Sequence, residues 1–410
     1  MKDATVSGEA MNRDVPGRGD LRRPVTPEGR RLLDIVAGHL PQISAVAAKH
    51  DRGGTFPEEV FGGLGDDGVL RATVPEDLGG LGVASVHDVC LAIARIAEAD
   101  PSVALSLHMQ LSRGLTMSYE RRHGTPHARR LAERILRLMG TGEAVVGGAL
   151  KDAGTTTELV PADGGGWLLC GRKLLVSMAP YATHFVVQAQ ARPTSGPVRL
   201  ASVFLPAQTP GLTVPDNWDG MGMRASASSE VVFDSCPVPE EDIFLRGPAG
   251  EPGKAALAGR TVSSIALLGI YAGIAAAARD FAVAAVARRG TTPQSAVRTL
   301  VAEIDTKLYA LRSTLAAALA NTDFYAERVV PDAAERGQLM MAPFQYAKLT
   351  VNRCASAIVE DCMTLVGGAS FTAGHPLSRC YRDVRAGWFM QPFTYADAVD
   401  VLSAWALGLE

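Results

Sequence analysis

The sequence predicts an α+β fold in three parts: an N-terminal all-α domain, a middle antiparallel β-barrel or sandwich, and a C-terminal four-helix bundle. Apolar residues recur at helical spacing up to about residue 145. They then alternate along short runs bounded by turn residues, and from about residue 254 return to helical spacing over unusually long stretches. At 410 residues, with 47% hydrophobic and 20% charged residues, the chain is long enough for two or three cores of ordinary composition. The boundaries expected are a tail over 1–24, helices over 25–145, strands over 146–250 and the bundle over 251–410.

The tail is polar and rich in Gly, Arg and Asp, with no apolar segment of a secretory signal, and is expected to be disordered. Thr26-Pro27-Glu28 opens the first helix, with Thr26 as cap and Pro27 at the first helical position; Leu32, Leu33, Ile35, Val36, Leu40, Ile43 and Val46 follow at helical spacing. Thr55-Phe56-Pro57-Glu58 predicts a second, short helix capped by Thr55, with Glu58 completing a capping box. Pro75 to Gly82 reads as a turn, and Ser85 starts another amphipathic helix. Helix is predicted again from Pro101 to about Tyr119 and, capped by Thr125-Pro126, to about Gly142. Strands are expected over 167–177, 185–191, 200–205, 212–215 and 230–233. Long helices follow from Lys254 to Arg288, Pro293 to about Arg328 and Glu335 to about Val366, with a last one from Tyr395 to Leu409.

Charge and cysteine content narrow the function. Forty Lys+Arg against 43 Asp+Glu leave a net charge of -3, which disfavours a nucleic-acid binder. The six cysteines are scattered without a C-x-x-C pair, so neither a metal site nor a disulfide framework is expected, and the compartment is read as a reducing cytoplasm. The longest uncharged apolar stretch, Val262 to Ala278, is short for a bilayer span. Its Ala, Gly and Ser content suits helices packed closely in a bundle.

Four motifs occur in order. Pro75-Glu76-Asp77-Leu78-Gly79-Gly80-Leu81-Gly82 is similar to P-E-x-x-G-G-x-G, and Gly171-Arg172-Lys173-Leu174-Leu175-Val176-Ser177 to G-x-K-x-W-I-T. Gly222-Met223-Arg224-Ala225-Ser226 with Val231-Val232-Phe233 is similar to G-x-R-x-S…V-x-F, and Gly367-Gly368 with Arg382-Asp383-Val384-Arg385 to G-G…R-D-A-R. Together with the layout, these resemble the acyl-CoA dehydrogenase superfamily over roughly residues 27–408.

The resemblance implies a flavin, FAD or FMN, held between the β-domain and the bundle and partly across a subunit interface. It places Ser177 at the hydroxyl position beside the flavin edge, where a donor stabilises negative charge on the reduced ring. Leu175 replaces the usual tryptophan, and Leu150 falls in the loop that shapes the flavin side. Arg288 or Arg289 falls where the family places a pyrophosphate arginine, and Gly367 and Gly368 approach the cofactor from a neighbouring subunit. A homo-oligomer, a tetramer built as a dimer of dimers, is expected; the long Ala/Gly-rich helices suggest more close-packing surface than one bundle buries.

The chain departs from the family where the chemistry of a dehydrogenase is done. Removal of a thioester α-proton needs a carboxylate, but the residue at the usual Glu position is Gln391, an amide that cannot act as a base. The alternative position on the first bundle helix reads Leu257-Ala258-Gly259-Arg260, without an acid, and Asp383 is not assigned as a replacement. No catalytic residue is therefore named. These vacancies, with Leu107-His108-Met109-Gln110-Leu111 and the segment from Arg385 to Phe393, resemble the flavin-dependent monooxygenase branch, and within it the amino-sugar N-oxygenases or nitrososynthases. That resemblance implies reduced flavin from a separate reductase, O2 as co-substrate and a flavin C4a-hydroperoxide. The reaction implied is oxidation of the amine of a dTDP-linked amino-deoxysugar to hydroxylamine or nitroso, in natural-product biosynthesis. Substrate contacts are expected from His108, Leu175, Arg224, Trp388, Phe389 and Gln391. Two other readings stay open: a dehydrogenase or oxidase with a relocated base, and a non-catalytic flavin-binding relative.

Overall fold

In a computed structural model, residues 21–249, 253, 256–328, 332–390 and 394–409 are described. The first helical layer is α1 (Pro27–Gly53), α2 (Glu58–Asp66), α3 (Val86–Ala99), α4 (Pro101–His123) and α5 (Pro126–Gly140). Thr26 caps α1 as expected, accepting from Gly29 N at 2.9 Å, and its own hydroxyl donates to Asp88 Oδ2 on α3 at 2.6 Å. Asp88 is thus consumed in tying two helices together. One capping expectation fails. Pro57, not Thr55, precedes α2 and makes no side-chain cap, because the Thr55 hydroxyl is engaged by His50 Nδ1 at 2.8 Å. Leu21 is already buried against the helical core, inside the stretch expected to be tail; residues 1–20 lie outside the described ones.

The strands are β1 (Val146–Ala149), β2 (Lys151–Asp152), β3 (Glu158–Pro161), β4 (Trp167–Val176), β5 (His184–Ala191), β6 (Arg199–Pro206), β7 (Leu212–Thr213), β8 (Ser229–Val238) and β9 (Ile243–Pro248). They form one sheet in the order β7-β8-β4-β3-β5-β6-β9, with β1 on β5 and β2 on β4. Pairing is antiparallel except that β1 and β3 both run parallel to β5. The short β1, β2, β3 and β9 are not legible in the sequence. Runs of two to six residues, most of them containing Gly or Pro, carry too little alternation to register.

The C-terminal helices are α6 (Ala256–Ser264), α7 (Leu268–Ala287), α8 (Ser295–Glu327), α9 (Ala333–Val366), α10 (Pro376–Val384) and α11 (Tyr395–Leu407). The single helix expected over 254–288 is interrupted by a 3-10 turn at Ile265–Leu267, which packs all three apolar side chains inward against α3; residues 254 and 255 lie outside the described ones. A Cβ on Gly269 would lie 2.3 Å from Cys90 O, and one on Gly273 2.3 Å from Ala94 O. The Ala/Gly run is therefore spent on a close approach of α7 to α3 within the chain. The C-terminal half of α7 still leaves Phe281, Ala284 and Ala287 exposed.

The two helical parts are not separate cores. One apolar cluster runs from Leu32 and Val36 of α1 through α3 and α4 into α7, α8 and α9. The sheet has its own core, and a third cluster joins α5 to Val186, Phe204 and Phe244 on the sheet. Asp323 of α8 seals the α3 start by accepting from Val86 N at 2.7 Å and from the Ser85 hydroxyl at 2.8 Å.

Candidate functional site

The end of β4 makes a sharp change of direction. Its pairing with β8 slips between Lys173 and Val176, and Leu175 and Met178 take φ of 57° and 54°. Met223 and Ala227, across the sheet junction, take φ of 51° and 43°. Non-glycine residues in this region are held there only by surrounding structure, and such strain gathers at functional sites. Lys151 pairs with Leu174, and the neighbouring Leu150 and Leu175 side chains are both exposed, at 47% and 59%. A bare apolar pair at a strained strand end suits the face of a planar ring. Beneath Leu150, the buried Lys173 ammonium donates to Asp152 Oδ1 at 2.6 Å and to Leu150 O at 3.2 Å.

Ser177 follows at once and is buried. Its hydroxyl lies 2.9 Å from that of Ser228, which lies 2.7 Å from that of Ser226. Ser226 O accepts from Met178 N at 2.8 Å and from the Ser106 hydroxyl of α4 at 3.4 Å. The strand end, the 223–228 loop and α4 are thereby joined.

Arg224 occupies this loop. Its guanidinium donates to Asp51 O at 2.8 Å and Gly220 O at 3.1 Å and pairs with Asp219 at 3.4 Å. It ties the loop to α1. On the other side, a Cβ on Gly222 would lie 2.5 Å from Arg382 O, so only glycine lets the loop meet α10. There Asp383 Oδ1 accepts from Met223 N at 2.6 Å, while Arg382 pairs with Asp51 at 2.6 Å.

Burial pushes the Asp383 carboxyl up to about 7, against the Met223 hydrogen bond that lowers it. A folded-state value above the unfolded 3.8 means the native protein holds the extra proton between those values. Its contribution is complete at low pH and lost as pH rises through about 7. Asp383→Asn, which keeps the acceptor for Met223 N, is expected to gain stability relative to the parent between pH 5.5 and 8, read from thermal melts at both; parallel curves would contradict this.

The segment after α10 is pinned to α9. Asn352 Nδ2 donates to Gly387 O at 3.0 Å, Trp388 Nε1 to the Ser356 hydroxyl at 3.2 Å, and Lys348 Nζ to Met390 O at 2.5 Å. Trp388 leans edge-on against Tyr395, while Phe389 is left 66% exposed. Gln391 and Phe393 lie outside the described residues.

His108 is buried on α4, with no hydrogen-bond partner for either ring nitrogen among the described residues. Burial, and then the charge of Arg113, push its imidazole down to about 3, so it is neutral. Further along, Ser118 Oγ, Tyr119 OH and Arg336 Nε are also buried without a partner among the described residues, with the Arg336 guanidinium 5.5 Å over the Tyr119 ring. Arg260 of α6 is half-buried beside them, next to Gly259, whose Cβ position lies 3.9 Å from Tyr119. Burial alone lowers its pKa, and among the described residues its guanidinium has neither counterion nor hydrogen-bond partner. Buried polar atoms left unmatched are costly, and a ligand is one way to satisfy them. Sequence reasoning misses Arg260, because that stretch draws attention only for the acid it lacks. The available signal is an isolated arginine in an otherwise apolar helix start.

Arg289 and the glycine pair form a second group. Arg289 Nη2 donates to Leu365 O at 2.7 Å at the end of α9, directly before Gly367, whose φ is 81°. A cation is well placed at a helix C-terminus. Neither glycine has an atom within 4 Å of its Cβ position, and Arg288 is exposed. Among the described residues, Arg289 reaches only the end of α9, so the structure does not bring this group to Ser177 within one chain. A groove of about 550 Å³ between α8, α9 and α11, lined by Leu339, Pro343 and Trp405, includes none of the expected site residues.

A mixed sheet inserted between two helical layers that share one core, with a strained strand end joined through the 223–228 loop to α4, defines an acyl-CoA dehydrogenase fold. The chain belongs to the acyl-CoA dehydrogenase family: the family's N-terminal domain matches residues 33–143, its middle domain 139–236 and its C-terminal domain 254–391. More particularly, it is 59% identical over 392 residues to L-evernosamine nitrososynthase of Micromonospora sp., covering 95% of this chain and 93% of the relative. It is 57% identical to the amino sugar nitrososynthase RubN8 of Streptomyces rubradiris, covering 98% and 95%. Among solved structures, KijD3 in complex with FMN and dTDP-3-amino-2,3,6-trideoxy-4-keto-3-methyl-D-glucose matches with a TM-score of 0.94 at 57% identity, covering 96% of this chain and 97% of that one.

Proposed function

We propose that the protein is a flavin-dependent N-oxygenase that converts the amine of a dTDP-linked amino-deoxysugar to hydroxylamine and nitroso. The observation that carries this reading is the 57% identity, over 96% of the chain, to KijD3, which binds FMN and a dTDP amino sugar together. The residues present fit a flavin: an apolar pair at Leu150 and Leu175, a hydroxyl at Ser177 and unmatched polar atoms on α4. FMN is the flavin favoured. When bound, reduced flavin supplies the electrons that activate O2.

The protein's own residues supply the setting. Ser177 Oγ donates to the ring edge. Leu150, Leu175, Trp388 and Phe389 exclude water, which keeps the activated oxygen from being lost as peroxide. Neutral His108 offers one N–H and one lone pair and adds no positive charge beside the substrate amine, which must itself be neutral to attack. Arg260 and Arg336 hold the negative charge of the nucleotide diphosphate. Arg289, Gly367 and Gly368 serve the cofactor of a neighbouring subunit in a tetramer. Exposed Tyr309, Phe324, Tyr346 and Phe371 on the bundle support association, and equilibrium sedimentation at micromolar concentration is expected to show no stable monomer. A separate reductase and a cytoplasmic setting complete the reading; all six thiols are free.

The test is incubation with FMN, a flavin reductase, NAD(P)H, O2 and a panel of dTDP-linked amino sugars, read by mass. Each oxygen inserted consumes one O2 and two electrons, with the second oxygen atom leaving as water. Gain of one oxygen atom on the amine is expected; NAD(P)H consumption with peroxide alone across the panel would overturn the reading. Gln391→Glu is expected to create no acyl-CoA dehydrogenase activity, measured by dye reduction with octanoyl-CoA, because the loop over 149–156 also departs from the dehydrogenase pattern.

A further inference from the structure

We infer that Ser226 and Ser228 are positioning residues that force the Ser177 hydroxyl to act as a hydrogen-bond donor into the flavin site; this rests on the reading of Ser177 as the flavin-edge residue. Three hydroxyls form an unbranched chain, Ser226 to Ser228 at 2.7 Å and Ser228 to Ser177 at 2.9 Å. Three protons serve two links, so one is left over; Ser228, buried and with no partner but the other two serines among the described residues, has nowhere else to direct it, so it leaves from an end. Ser226 is fully buried, at 0% exposure, and among the described residues its hydroxyl has no partner but Ser228. A proton directed outward there would have no acceptor, and an unmade buried hydrogen bond is costly. The chain therefore runs from Ser226 to Ser228 to Ser177, and the spare proton emerges at Ser177.

The backbone holds this sense in place. Ser226 O is occupied by Met178 N at 2.8 Å and by the Ser106 hydroxyl at 3.4 Å. Ala227, between the two loop serines, takes a φ of 43°, a strained geometry that turns both hydroxyls to the same side. Each donor in such a chain is polarised by the one behind it, so Ser177 becomes a stronger donor than a lone serine.

The experiment is a double-mutant cycle on FMN affinity, read by quenching of FMN fluorescence, with melting temperatures alongside. Ser177→Ala is expected to weaken FMN binding about three- to tenfold, the effect of one lost hydrogen bond. Ser228→Ala, although its side chain meets Ser177 and not the flavin, is expected to weaken it about two- to fivefold by the same accounting. The double variant is expected to be no weaker than Ser177→Ala alone, and Ser228→Thr, which keeps the hydroxyl, to restore binding. Loss of affinity in Ser177→Ala but not in Ser228→Ala, or losses that multiply in the double variant, would sink the chain and leave Ser177 at the flavin edge. Unchanged affinity in Ser177→Ala would remove the flavin-edge reading and the chain with it. A fall in melting temperature in Ser228→Ala with FMN affinity intact would make the serines structural.

Discussion

Gly269→Val is expected to leave little stably folded protein. The α7–α3 contact is closed by backbone: a Cβ at Gly269 would meet Cys90 O at 2.3 Å and Cys90 Sγ at 3.1 Å. The carbonyl cannot rotate aside, because it belongs to a helix. One turn on, Gly273 is pressed as closely against Ala94 O, so α7 cannot pivot away at one end alone. It would have to translate, and its other face packs on α9 within the core shared by both helical parts. Overpacking typically costs about 1–3 kcal/mol; with rigid neighbours on both sides, the upper end or beyond is expected. Gly38→Ala is the control. It lies on the exposed side of α1 with nothing within 4 Å of its Cβ position, and should stabilise by about 0.5–1 kcal/mol through helix propensity. Soluble yield and calorimetric melting of both variants test the pair; a Gly269→Val protein melting within a degree of the parent would contradict the account.

Arg260→Ala is expected to weaken binding of dTDP about tenfold to a hundredfold, the worth of a charged hydrogen bond of about 1.5–3 kcal/mol. The arginine is half-buried with no protein partner among the described residues, so its guanidinium is available to an anionic ligand. Removing it also removes a desolvated charge, so the free protein should be no less stable and is expected to melt slightly higher. That opposite sign separates a ligand-binding arginine from a structural one. Titration calorimetry with dTDP, and melting without it, decide the matter: unchanged affinity together with a lower melting temperature would make Arg260 structural. Raising ionic strength should weaken the parent more than the variant, because the attraction between guanidinium and diphosphate is screened by salt.

The cap at Thr26, the strand over 167–176 and the bundle helices are legible because each is a local pattern: a hydroxyl before proline, a ten-residue run entered from a glycine turn, apolar spacing over thirty. The short strands are not, since β1 owes its place to parallel pairing with β5, a contact between residues 38 apart in sequence. Thr55 misleads for a related reason. Its hydroxyl could serve either helix end, and the proximity of His50, fixed by α1, decides the competition. At the site, the motif at 171–177 draws attention to Ser177, and the vacant acid positions at 257–260 and 391 point away from dehydrogenation.

By itself, then, the sequence determined the order of helical and strand-rich parts and the family, because periodicity and motif order are properties of the chain read in line. Only the tertiary structure decided that the Arg224 guanidinium reaches Asp51 O of α1, that Arg260 lacks a counterion among the described residues, and that the Ser177 hydroxyl meets those of Ser228 and Ser226. Those depend on which polar atoms meet after distant segments close on one another. A hydrogen bond or an ion pair is settled within about 3–4 Å, a scale on which spacing along the chain carries no information.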